Sequence, residues 1–152
     1  MSWLRKLFGS SEADSSSKAD SGPVYKISSD LPVNVIEEAA SELTTMLGVS
    51  MIYAFDKNDR LLFEYKSWMQ EEAKTNPKGV LKVIHSIRDF MRDDIDNPLT
   101  NAILRSEGAN IIIQMAKNIV IYVQTVENIN LALISIRVRR VAIAISKIFG
   151  GE

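Results

Sequence analysis

The segment from Asn101 to Phe149, NAILRSEGANIIIQMAKNIVIYVQTVENINLALISIRVRRVAIAISKIF, constrains the fold of this chain most. Its runs NAILRSE, NIIIQMA and IVIYVQTV are separated by Gly108-Ala109-Asn110 and by Lys117-Asn118. Short runs rich in β-branched residues, punctuated by glycine and asparagine, predict strands joined by tight turns. The next run repeats apolar residues with the helical period, at Leu131, Ile134, Val138, Val141, Ile145 and Ile148, and Asn130 is placed to cap it. A second ridge, Leu133, Ile136 and Ile143, lies outside that stripe, between Arg139 on one side and Arg140 and Lys147 on the other. One apolar face secures a helix to its own sheet, whereas two faces ask for a partner. The ridge is therefore a candidate partner-docking surface.

The upstream half repeats the pattern of helix and paired strands. Asp30 as N-cap, Pro32 in the first turn and Gly48 as the stop bracket a helix whose apolar arc is Val33, Ile36, Ala40, Leu43, Met46 and Leu47. VSMIYAFD and LLFEYKSW then read as strands around the turn Asp56-Lys57-Asn58-Asp59. Tyr53, Phe55, Phe63, Tyr65 and Trp68 concentrate here, and cross-strand packing accounts for them better than a ligand pocket does. A further helix is predicted near Pro77 to Asp94. Val80, Ile84, Ile87, Met91 and Ile95 centre its apolar face, with Leu81 on one shoulder and Val83 and Phe90 on the other.

The resulting order is α-β-β-α-β-β-β-α, an α+β chain with a five-stranded antiparallel sheet. At about 4.8 Å per strand the sheet is roughly 24 Å wide, and one helix covers about 10 Å of it. The first and last helices together cover one face. The middle helix leaves about half of the other face bare, although the strands carry large apolar residues on both sides. A second copy bringing its own middle helix closes the gap, so the chain is expected to be a homodimer or a heterodimer with a paralogue. Leu81, Ile84, Arg88 and Met91 on the middle helix, with Ile103 and Arg105 on the third strand, are the candidate interface residues.

Ahead of this domain, taken as residues 30–152, stand two other segments. In residues 1–9, MSWLRKLFG, a helix places Trp3, Leu4, Leu7 and Phe8 on one face with Arg5 and Lys6 beside it. Such a strip suits a peripheral membrane anchor, a dock on the protein's own domain or a disordered start. Burial is worth about 1.5–3 kcal/mol per side chain, and ordering the segment offsets much of that. One copy therefore binds a membrane marginally, and two copies on a dimer bind through avidity. Residues 10–29 begin with SSEADSSSKADSG, too poor in apolar groups to fold, and read as a flexible Ser-rich linker.

The composition narrows the function classes. A net charge of −1 gives no electrostatic case for nucleic-acid binding. The chain has no cysteine, so disulfides and thiolate metal sites are excluded, and a reducing, cytoplasmic setting fits. No uninterrupted apolar run approaches the roughly 18 residues of a membrane span. The single histidine, His85, lies among polar residues with no nucleophile or acid at catalytic spacing. The run Arg92-Asp93-Asp94 with Asp96 lacks the spacing and glycine of a calcium loop. There is no phosphate-binding glycine loop, so neither enzymatic activity nor a cofactor is expected.

Three patterns give the chain a family resemblance: MLGVSMIYAFDKNDRLLF at the helix-to-hairpin junction, NAILRSEGANIIIQMAKNIVIYVQTV, and ENINLALISIRVRR at the start of the last helix. Together with the element order they make residues 30–149 similar to the Roadblock/dynein light chain family. Ala132 stands where a glycine is common in that family. The resemblance implies a profilin-like three-layer α/β/α fold and a non-catalytic dimer with a sheet continuous across the two copies. It also implies a platform for a small Ras-like GTPase. A ligand-sensing domain of profilin-like topology is the alternative.

Overall fold

The computed structural model describes residues 24–27, 31–67 and 75–149. Its elements are β1 (Val24–Ile27), α1 (Val33–Ala39), α2 (Ser41–Thr44), β2 (Val49–Asp56), β3 (Leu61–Lys66), α3 (Pro77–Phe90), a π-helical turn (Met91–Ile95), β4 (Asn101–Ser106), β5 (Ala109–Ala116), β6 (Ile119–Val126) and α4 (Leu131–Ile148). The strands form one antiparallel sheet in the order β1-β3-β2-β6-β5-β4.

All five expected strands are present, and a sixth extends the sheet. Val24–Ile27 pairs antiparallel with β3 in the register Tyr25↔Tyr65 and Ile27↔Phe63. Composition assigns these residues to the 10–29 linker, and that boundary is corrected here. The physical cause is the VYKI alternation, which places Tyr25 against Phe63 and Tyr65, the latter edge-on at 5.2 Å between ring centroids. The sheet thus includes residues 24–27, ahead of residue 30.

Two apolar layers enclose the sheet. On one face Ile36 and Leu43 from the first helical segments and Ile134, Val138, Val141 and Ile145 from α4 pack on Ile52, Phe63, Ile112 and Ile121. On the other, Val80 and Ile84 of α3 pack on Met51, Tyr53, Phe55, Ile113, Val120 and Tyr122. β2 is buried along nearly its whole length because it contributes to both layers. A register shift between Val49 and Met51 lets both reach a core, on opposite faces, although they are two apart in sequence.

Local chemistry sets the boundaries. The first predicted helix is broken at Ala40 into α1 and α2, and Pro32 rather than Asp30 occupies its N-cap position. Asp30 lies outside the described residues. Leu47, placed on the apolar arc by periodicity, is 94% exposed because the helix stops at Thr44. Gly48 then enters β2 with φ at 98°, and a Cβ there would crowd Val126 and Ile129 at 3.1 and 3.2 Å. The Asn130 side chain caps α4, accepting from the Leu133 N–H at 3.0 Å. Among the described residues no helix is long and apolar enough to cross a membrane.

Candidate functional site

The layer built on α3 is the incomplete one. Asn76 caps this helix by accepting from the Gly79 N–H at 2.8 Å, and Pro77 occupies the first turn. Of its apolar residues only Val80 and Ile84 are buried, while Leu81 and Ile87 pack partly against the layer. Val83 remains exposed, and Phe90 is 52% exposed. Beyond Phe90 the chain widens into a π-helical turn and ends at Asp96, whose φ of 65° is unusual for a residue other than glycine.

The end of α3 stands beside the sheet's edge. Residues 97–100 return the chain to β4, and the Met115 N–H donates to the Thr100 carbonyl at 2.9 Å. β4 has only β5 as a neighbour, so its outer edge has no strand partner among the described residues. The pairs Ala102↔Ile113 and Leu104↔Ile111 place Ala102 and Leu104 on the α3 face. Leu104 is 41% exposed there. α3 and β4 thus leave Val83, Phe90 and Leu104 exposed on the same side of the sheet.

The six expected interface residues divide unevenly on this surface. Leu81 and Met91 are half-buried and remain available. Arg88 lines a cleft of about 360 Å³ with Arg92, Leu99 and Met115, and its Nε is buried without a hydrogen-bond partner. Ile84 is fully enclosed in the subunit's own core, so its side chain cannot reach a second copy. Ile103 and Arg105 pair with Ile112 and Asn110, which places them on the α1/α4 face, away from α3. Both remain on the strand whose outer edge has no strand partner among the described residues. Strand alternation shows that neighbours point to opposite faces but not which face carries the odd positions. Leu104 is the residue that sequence reasoning missed.

On the opposite face, Leu133, Ile136 and Ile143 are all exposed along the outer side of α4. The Arg140 Nη2 donates to Glu42 Oε1 at 2.9 Å and joins α4 to α2. The expected anchor residues Trp3, Leu4, Leu7 and Phe8, like Trp68, lie outside the described residues.

Burial, reinforced by the charge of Glu64, pushes the Tyr53 phenol far above its ordinary value, and its hydroxyl donates to the Thr75 carbonyl at 3.2 Å. Burial likewise raises Tyr65 and Tyr122. His85 is paired with Asp59 at 2.9 Å, and both are exposed. Arg92 hydrogen-bonds Asp93, which holds that carboxyl below the usual range and the guanidinium above its own. Among the described residues no three acidic or histidine side chains are placed to hold a metal.

A three-layer α/β/α domain with a single, unpartnered helix on one face and a free strand beside it is the Roadblock fold. Among solved structures the chain is similar to gliding protein MglB from Thermus thermophilus, with a TM-score of 0.65 at 11% identity, covering 80% of this chain and 93% of that one. It is similar to Myxococcus xanthus MglB, with a TM-score of 0.63 at 17% identity over 77% and 96% of the two chains. The Roadblock/LC7 domain from Streptomyces avermitilis matches with a TM-score of 0.53 at 7% identity over 70% and 90%. No protein-family model and no curated protein sequence matches this chain.

Proposed function

We propose that this protein is a dimeric, non-catalytic interaction module that binds a small Ras-like GTPase and regulates or scaffolds it. The observation that carries this reading is the incomplete α3 layer beside the free β4 edge, on a fold shared with MglB. Apolar surface at Val83, Phe90 and Leu104 beside unpaired backbone is stabilised when a second copy lays its α3 and β4 alongside. Such an interface is self-complementary, as two-fold symmetry requires. A dimer presents two outward α4 ridges, Leu133, Ile136 and Ile143, on the faces away from the pairing surface, and these are assigned to the GTPase. Trp3, Leu4, Leu7 and Phe8 bring the dimer to the cytoplasmic side of a membrane as a peripheral contact.

The ligand-sensing alternative places its pocket among the aromatic strands. Tyr53, Phe55 and Phe63 are fully enclosed core residues, which favours packing over ligand binding at those positions.

A module that regulates a GTPase binds its two nucleotide states with different affinity. Titrating purified small GTPases from the same organism, loaded with GDP or a non-hydrolysable GTP analogue, is expected to give one clearly preferred state. Ile136→Glu is expected to weaken that binding without altering the dimer. Equal affinity for both states, or no binding, overturns the assignment.

A further inference from the structure

The outer face shared by α1 and α4 carries an open groove of about 570 Å³. Val35, Ile143 and Ile148 give it an apolar floor, Glu38 stands on the α1 rim and Lys147 on the α4 rim. The Glu42–Arg140 ion pair closes one end. Val35 and Ile143 are both large, apolar and exposed. We propose that, away from a membrane, residues Trp3 to Phe8 of the same chain lie in this groove, with Trp3, Leu4, Leu7 and Phe8 against its floor.

Three observations select this occupant. The first is chemical fit: the groove has an apolar floor between two helices, and the segment's sequence carries four large apolar side chains at helical spacing. The second is charge. Glu38 on the groove's α1 rim has no ion-pair partner among the described residues, whereas Glu42 is engaged by Arg140. Arg5 or Lys6 of the segment can pair with Glu38, on the rim opposite Lys147. The third is reach. The segment is joined to Val24 by residues 9–23, and β1 adds Tyr25 and Ile27 to the same face of the sheet as α1. A polar, Ser-rich connection of that length has a root-mean-square span of about 20 Å, comparable with the size of the domain. Tethering gives an effective concentration on the order of millimolar, so a weak contact suffices. Ile143 belongs both to this groove and to the ridge assigned to the GTPase, so the segment and a GTPase compete at that residue, and experiments without a GTPase read the segment alone.

The chain has no cysteine, so Ile143→Cys introduces a unique thiol. Its alkylation by a maleimide is expected to be several-fold slower in the full chain than after deletion of Ser2 to Phe8. Ile136→Cys, on the outer ridge beyond the groove, is expected to react equally fast in both. In a Trp68→Phe background, Trp3 fluorescence is expected at shorter wavelength than in the free peptide MSWLRKLFG. Val35→Glu combined with Ile143→Glu should return it to the peptide value with the melting temperature unchanged. If that variant fails to fold, the thiol rates still decide. Equal alkylation rates at Ile143→Cys with and without the segment overturn the proposal. So does protection that fades on dilution, which assigns the segment to a second copy. Protection seen only with phosphatidylcholine–phosphatidylserine vesicles also overturns it, assigning the segment to the bilayer.

Discussion

Ile84 and Leu104 show how a few ångströms separate a core residue from a surface one. Both are branched aliphatic side chains on the same layer, yet Ile84 is enclosed by its own sheet and Leu104 stands open at the edge. Truncating an enclosed isoleucine removes its transfer energy and leaves a cavity, a loss of about 2–5 kcal/mol. Ile84→Ala is therefore expected to lower the unfolding free energy by that amount in urea titrations. A cost below about 1 kcal/mol would show that the side chain is not core. Tyr53 gives a second prediction at this scale. Its phenol is held neutral by burial and by Glu64, so its folded pKa is raised. Above about pH 10, where free tyrosines ionise, the unfolded chain releases protons that the native state retains, and stability falls as pH rises. The contribution is fully present below that pH. Tyr53→Phe should make the alkaline fall in urea midpoint shallower, and an unchanged slope would remove Tyr53 as its source.

At the level of elements, β4 and α3 were legible in kind and only partly in orientation. Glycine-punctuated, β-branched runs identify strands, and Asn130 and Pro77 mark helix starts, because these signals are local. β1 escaped because four residues next to a Ser-rich tract carry little pattern, and its pairing with β3 is supplied from about forty residues away. The facing of Ile103 and Arg105 is likewise set by register, with Ile112 and Asn110, and not by local pattern. The broken first helix reflects tertiary packing: Ala40 is fully buried at the kink, and no proline or glycine marks the site. The element-level prediction concerns pairing. Leu104→Asp places charge at the free edge without disturbing the core, so it is expected to convert the dimer to a folded monomer in sedimentation velocity. Stability of the monomer fold should change by no more than about 0.5 kcal/mol. A dimer that persists unchanged would move the pairing surface away from β4.

For the molecule as a whole, the two faces of the sheet are unequally furnished, with helices from both ends of the domain on one side and α3 alone on the other. That imbalance was readable from element order and strand width alone. The two outlying candidate sites differ in standing. The α4 ridge is where periodicity placed it, whereas the anchor segment lies outside the described residues. The strand order also has a kinetic meaning. The centre of the sheet is the β2–β6 seam, and it joins residues such as Ile52 and Val123, about seventy positions apart. The β2–β3 hairpin and the β4–β5–β6 meander are each local and can form early. Neither half acquires a closed core until that long loop is spanned, so folding speed is governed by the meeting of two preformed halves. During that interval the free edges of both are exposed to neighbouring chains, and synthesis at high concentration will favour mispairing there.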